Sequence, residues 1–109
     1  MIERGVLISV SEAYEASRVV KDSPGLLYQI YGYNSKAFSQ FLQVHDATAL
    51  PADTAVPEIL IKVAAESNFS IDLNDTGEYF GKGIVVCNSS TGSTKTIGSA
   101  DCWFRIAYR

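Results

Sequence analysis

Asp75-Thr76-Gly77 is the closest approach to a catalytic signature in this chain of 109 residues. Aspartic proteolysis needs two such aspartates brought together across a dimer and sharing one proton. There the tripeptide follows apolar residues and is followed by Ala or Ser. Here Asn74 precedes it and Glu78 follows it, so a polar β-turn is the expected role. The overlapping run from Asp72 places a glycine at the sixth position of a calcium loop, but Gly83 stands where the twelfth-position glutamate belongs. No helical pattern flanks the run, so it offers at most a loose surface site, and no metal is assigned. Gly92-Ser93-Thr94-Lys95-Thr96 has the ending of a phosphate-binding loop. It lacks both the glycine directly before the lysine and the spaced first glycine, and reads as a flexible Ser/Thr loop.

His45 is the sole histidine, so a His-based metal site or a Ser/His triad would rest on one residue with no visible partner. Its neighbour Asp46 points to the opposite face of any strand they share. Cys87 and Cys102 lack the paired short spacing of a zinc site and are expected as buried, small apolar side chains. They would face each other only if residues 84–88 and 102–106 paired as neighbouring strands. The first eight residues lack the apolar run of a signal peptide, so folding in the cytosol, with free thiols rather than a disulfide, is expected. Three matches to the glycosylation sequon, at Asn68, Asn74 and Asn88, carry little meaning in that setting.

The elements that would position these residues are strands. Residues 5–10 are β-prone, 11–17 are open between a helical turn and a loop, and Arg18–Lys21 reads as a short strand before the turn Asp22-Ser23-Pro24-Gly25. Leu26–Asn34 alternates, with Leu26, Tyr28, Ile30 and Gly32 on one face and Leu27, Gln29, Tyr31 and Tyr33 on the other. Gln40–Asp46 alternates so that Leu42 and Val44 face the core, and these two runs are expected to form an antiparallel hairpin. Residues 47–57 hold two prolines and are expected to carry the chain from one sheet to the other. Ile59, Ile61 and Val63, then Phe69, Ile71 and Leu73, mark two more strands. The last two strands are Gly83–Asn88 and Cys102–Arg109. About eight strands and no helix predict an all-β fold, an antiparallel, jelly-roll-like β-sandwich over residues 18–109, with 1–17 as an N-terminal arm or irregular segment.

Composition agrees with one globular domain: 47% of residues are hydrophobic and 19% charged. A net charge of −3 with only scattered basic residues disfavours nucleic acid as a partner. No apolar run approaches the roughly 18 residues of a membrane span. If Phe104, Ile106 and Tyr108 face the core, Trp103 and Arg105 face outward, as Tyr31 and Tyr33 do on the earlier strand. Outward Tyr, Trp and Arg are enriched at interface cores, which makes Tyr31, Tyr33, Trp103 and Arg105 the candidate interface. The competing reading is that both faces of these strands are buried within the sandwich or its edges.

Leu26–Asn34, Gln43–Ala47 with Leu50-Pro51-Ala52-Asp53, Phe80–Asn88 and Lys95–Trp103 together resemble small structural proteins of tailed bacteriophages. The resemblance covers roughly three quarters of the chain, least so residues 1–17. It implies a non-enzymatic virion module with no catalytic residue and no cofactor, made in the bacterial host cytoplasm. A capsid cement or decoration protein is expected, bound to the major capsid protein or other virion proteins as a homo-oligomer, with a trimer as the favoured state and residues 1–17 reaching a neighbouring subunit. The alternative is a receptor- or glycan-binding module of a head or tail fibre.

Overall fold

The computed structural model describes residues 5–109, and they form two antiparallel sheets with no helix. The strands are β1 (Leu7–Val10), β2 (Ser17–Lys21), β3 (Gly25–Asn34), β4 (Gln40–His45), β5 (Ile59–Val63), β6 (Ser67–Asp72), β7 (Glu78–Phe80), β8 (Ile84–Ser89) and β9 (Cys102–Tyr108). One sheet has the order β1-β9-β3-β6, with β7 also on β3, and the other runs β2-β8-β4-β5. The chain changes sheets at almost every connection, so β1 ends up over β2, β9 over β8, β3 over β4 and β6 over β5. That is the jelly-roll order, with β7 as an addition.

Alternation writes the core. Ile59, Ile61 and Val63 of β5, Phe69 and Ile71 of β6, Leu42 and Val44 of β4, and Phe104 and Ile106 of β9 all point between the sheets. Their period of two is what a half-buried strand requires. At one end of the core the packing is polar. Gln40 donates to Asn34 Oδ1 (2.9 Å) and accepts from Asn88 Nδ2 (2.8 Å), tying the end of β3 to β4 and β8. Asn34 Nδ2 donates in turn to Ala64 O at 3.0 Å and Asn88 Nδ2 to Ser99 O at 2.9 Å, so loops of both sheets join the network.

Four expectations need correction. Runs β3 and β4 do not form a hairpin: β3 pairs with β6, β7 and β9, and β4 pairs with β5 and β8. The turn between them is a sheet crossing, because Asn34 and Gln40 each turn inward and bond to one another. Residues 47–57 are not the crossing; they join two strands of one sheet and fold over its outer surface, where Lys95 N donates to Ala55 O (2.8 Å) and Thr54 N to Lys95 O (2.7 Å). In β3 the faces slip by one residue at a bulge between Leu27 and Gln29, so Leu27 rather than Leu26 joins Ile30 in the core. The expected arm is also part of the body. Leu7–Val10 pairs with β9 over four consecutive residues and Glu15 bridges Cys102, while residues 1–4 lie outside the described residues.

Gly32 sets how closely β3 and β9 approach. A Cβ there would collide with the Trp103 carbonyl oxygen and come within 2.8 Å of Phe69 Cζ. The Phe69 and Phe104 rings, on either side of Gly32 in register, meet with centroids 6.1 Å apart and fill the space a side chain would take. Gly32→Ala is predicted to destabilise the fold by about 2–4 kcal/mol, since backbone and ring must both shift. Gly81→Ala, whose added Cβ meets nothing nearer than Tyr79 Cε2 at 3.7 Å, is predicted to fall within about 0.5 kcal/mol of wild type. Urea midpoints at constant slope measure both.

Candidate interaction face

Register brings the four candidate residues together. Tyr31 lies opposite Arg105 and Tyr33 opposite Trp103 on β3 and β9, and directly opposed residues share a face. That face is the solvent side, because Gly32, Phe104 and Ile106 between them point inward. Beyond β9 the row of Arg105 and Tyr31 continues to Val10 on β1, and beyond β3 to Ser70 on β6. Tyr31 is 42% exposed, and Tyr33, Trp103 and Arg105 are half-buried.

The side chains lock one another. Arg105 Cζ stands 5.2 Å from the centre of the Tyr31 ring, and the Trp103 ring lies 6.4 Å from Tyr31 at a 44° tilt. An exposed cation–π contact of this kind is worth about 0.5–1 kcal/mol, enough to restrict Arg105 to one side of the ring. Next to them a groove of about 420 Å³ is lined by Tyr31, Gly32, Asn68, Phe69 and Ser70. Aromatic rings, a guanidinium and the amide and hydroxyl of Asn68 and Ser70 therefore share one open surface. It offers stacking, charge and hydrogen bonding, but no nucleophile–base pair.

The other candidates take structural roles. Asp75-Thr76-Gly77 forms the turn after β6, with Asn74 at φ +61° and Gly77 at φ +70°. Asp72 Oδ1 accepts from Asn74 N (2.9 Å) and Asn74 Oδ1 from Thr76 N (3.0 Å), so these oxygens serve the turn. The Ser/Thr loop is the reverse of a phosphate cradle, which would aim N–H groups at its ligand. Here the carbonyls of Thr91, Gly92 and Thr94 converge on Gln43 Nε2 at 3.1, 3.0 and 3.2 Å.

That loop, with residues 47–58, covers the centre of the outer face of the second sheet, so every residue of β8 is buried. Lys95 is 2% exposed and forms an ion pair with the half-exposed Asp53, which also accepts from Ile97 N (3.1 Å). Beneath them His45 is 3% exposed. Gln43 donates through its nitrogen to the loop, so its Oε1 accepts from His45 Nε2 at 2.9 Å, which assigns the ring proton to Nε2. The strand pattern hid this: Gln43 and His45 occupy outward positions, and only the folding back of distant loops buries them.

Both cysteines are buried and free. They lie in different sheets, Cys87 under the loops and Cys102 between the sheets beside Gln40 Nε2 (3.8 Å). Burial pushes the Cys87 thiol up to about 11 and Cys102, also beside Asp101, to about 12. Such thiols stay protonated and unreactive at neutral pH.

No family model matches the chain, and no curated protein matches it. Among solved structures, the coat protein of Tobacco streak virus aligns over 98% of this chain and 89% of its own, at 12% identity and a TM-score of 0.39. A likeness that distant carries no argument, and the jelly-roll assignment stands on the strand order.

Two predictions follow from the covered face. Burial, and secondarily the charge of Lys95, holds His45 below its ordinary value of 6.5. The unfolded chain therefore takes up this proton first, and stability present above about pH 6.5 declines as pH falls below it. The unfolding midpoint is expected to drop between about pH 7.5 and 5.5, and His45→Gln to flatten that slope. Asp46, lowered by hydrogen bonds from Lys82 and neighbouring N–H groups, and Asp53, lowered by Lys95, lose their contribution only as pH falls through the ordinary carboxylate value of 3.8 and below. Separately, a thiol reagent at neutral pH is expected to label neither cysteine in the native protein and both after denaturation. Rapid native labelling of Cys87 would show that the loop cover opens.

Proposed function

We propose that this chain is a non-enzymatic virion structural protein of the tailed-phage type, most specifically a decoration protein that binds the outer capsid shell as a homo-oligomer. The observation that carries the reading is the solvent face of the first sheet, where Tyr31 contacts both Trp103 and Arg105 and Tyr33 stands opposite Trp103 in register. Residues of these types, clustered and mostly half-buried before any partner arrives, lose little side-chain freedom on docking. The phage-like stretches support the assignment to a virion, and the jelly roll is an architecture found in capsid domains. The chain's acidic balance and the turn and cover roles of its would-be catalytic motifs agree with a part that is built rather than one that turns over.

The groove beside Tyr31 favours a second reading, a glycan-binding module of a fibre. An aromatic ring flanked by the polar side chains of Asn68 and Ser70 suits a sugar, with one face for stacking and an edge for hydrogen bonds.

Quantitative mass spectrometry of purified particles of the encoding phage separates the two. The decoration reading expects a copy number comparable to that of the major shell protein, and loss of retention on the particle by at least tenfold in Trp103→Ala. A few copies per particle, or none, would overturn it. A glycan array positive for wild type and negative for Tyr31→Ala would establish the fibre reading instead.

A further inference from the structure

Five of the eleven large hydrophobic side chains exposed among the described residues fall between positions 7 and 19: Leu7 (54%), Ile8 (44%), Val10 (39%), Tyr14 (52%) and Val19 (46%). They lie along one side of the sandwich, where β1 and β2 form the adjoining edges of the two sheets. Arg18 of β2 joins those edges, donating to Ser9 Oγ at 3.1 Å and pairing with Glu15 at 2.6 Å.

The four sheet edges are not alike. Natural edges are protected by charges, bulges or proline. The β2 edge carries Arg18, Lys21 and a register shift after Val19, β5 begins directly after Pro57-Glu58 and carries Lys62, and β6 carries Asp72. Leu7-Ile8-Ser9-Val10 has no charge, no proline and an unbroken register against β9. Ser11 N donates to Phe104 O at 2.9 Å. In an antiparallel ladder the bonded pairs alternate, so Ser9 and Leu7 also turn their backbone groups toward β9. The N–H and C=O of Ile8 and Val10 therefore point to the open side.

We infer that β1 is a self-association edge whose occupant is the β1 strand of a second copy, paired antiparallel about a two-fold axis at Ser9. This deepens the homo-oligomer part of the proposed function and rests on it. Three features select a second copy. A two-fold brings each strand against its own image, and β1 is the one of these edge strands that brings no charged side chain into such a pairing. An axis at Ser9 sets Ile8 opposite Val10 of the copy, so the outward backbone groups bond reciprocally and the core side of each sheet stays in line. Leu7, Ile8 and Val10 lie on the strand itself and are exposed, so the pairing covers apolar surface that β1 otherwise leaves to water. The product is a sheet continuous across both subunits, with its Tyr31/Trp103/Arg105 faces on the same side.

Sedimentation equilibrium of the full chain tests this. Wild type is expected to form a concentration-dependent dimer. Ile8→Lys, which sets two lysines beside the axis at an already exposed position, is expected to weaken association about tenfold or more. Leu60→Lys, on the exposed β5 edge, is expected to leave it unchanged. A wild type that stays monomeric at all concentrations, or an Ile8→Lys variant that associates as wild type does, overturns the inference. If Ile8→Lys does not fold, amide exchange of the wild type decides. The Ile8 and Val10 amides must slow with rising protein concentration, and concentration-independent exchange at both overturns the proposal. Because the isolated chain is used, failure here is distinguishable from failure of the virion assignment, which particle mass spectrometry reads.

Discussion

The outer face of the first sheet depends on the close approach of β3 to β9 at Gly32. With the Trp103 carbonyl where a side chain would stand, the two strands are held in a register that sets Tyr31 against Arg105 and Tyr33 against Trp103. The inward consequence is the Phe69–Phe104 contact over the glycine, and the outward one is the aromatic and guanidinium cluster. One backbone distance thus links core packing to the candidate interaction face. A larger residue at position 32 would disturb both sides of the sheet at once.

Polar side chains do the fastening elsewhere. Gln40, bonded through both ends of its amide, joins Asn34 and Asn88 between the sheets and fixes which strand ends meet, although Asn88 Oδ1 is left without a partner among the described residues. On the far side Gln43 gathers three carbonyls of the Ser/Thr loop, and Lys95 with Asp53 clasps that loop to residues 47–58. The central strands of the second sheet, β8 and β4, are consequently covered on both surfaces, while Val19 of β2 and Leu60 of β5 stay exposed at its edges. The Tyr31/Trp103/Arg105 cluster lies on the first sheet, and the Ser/Thr loop, whose carbonyls converge on Gln43, is a cover over the second rather than a phosphate cradle.

Strand existence and core faces were legible because they are local. The alternation in Ile59–Val63, Phe69–Leu73 and Cys102–Tyr108 follows from a period of two, and the outward placement of Trp103 and Arg105 followed with it. Pairing was not legible, since adjacent strands separated by a short turn look like a hairpin whether the chain folds back in one sheet or crosses to the other. The bulge near Tyr28 shifted the faces of β3 by one residue without leaving a glycine or proline as a marker. Burial of Gln43, His45 and Lys95 depends on loops distant in sequence, and no periodicity reports that. Residues 5–10 are β-prone in sequence, but a four-residue edge strand gives too little pattern to separate Leu7–Val10 from an arm or irregular segment over 1–17.

The Tyr31/Trp103/Arg105 face is the docking surface that the proposed function requires. Trp103 is the single tryptophan of the chain and lies within that face, so its emission reports the contact directly. Iodide quenching of Trp103, measured on the free protein and again on the protein bound to particles stripped of it, is the decisive measurement. Docking through this face predicts a blue-shifted emission and strong protection from iodide in the bound state. Equal quenching in the free and bound states, with binding verified by co-sedimentation, would contradict the account and place the contact on another surface.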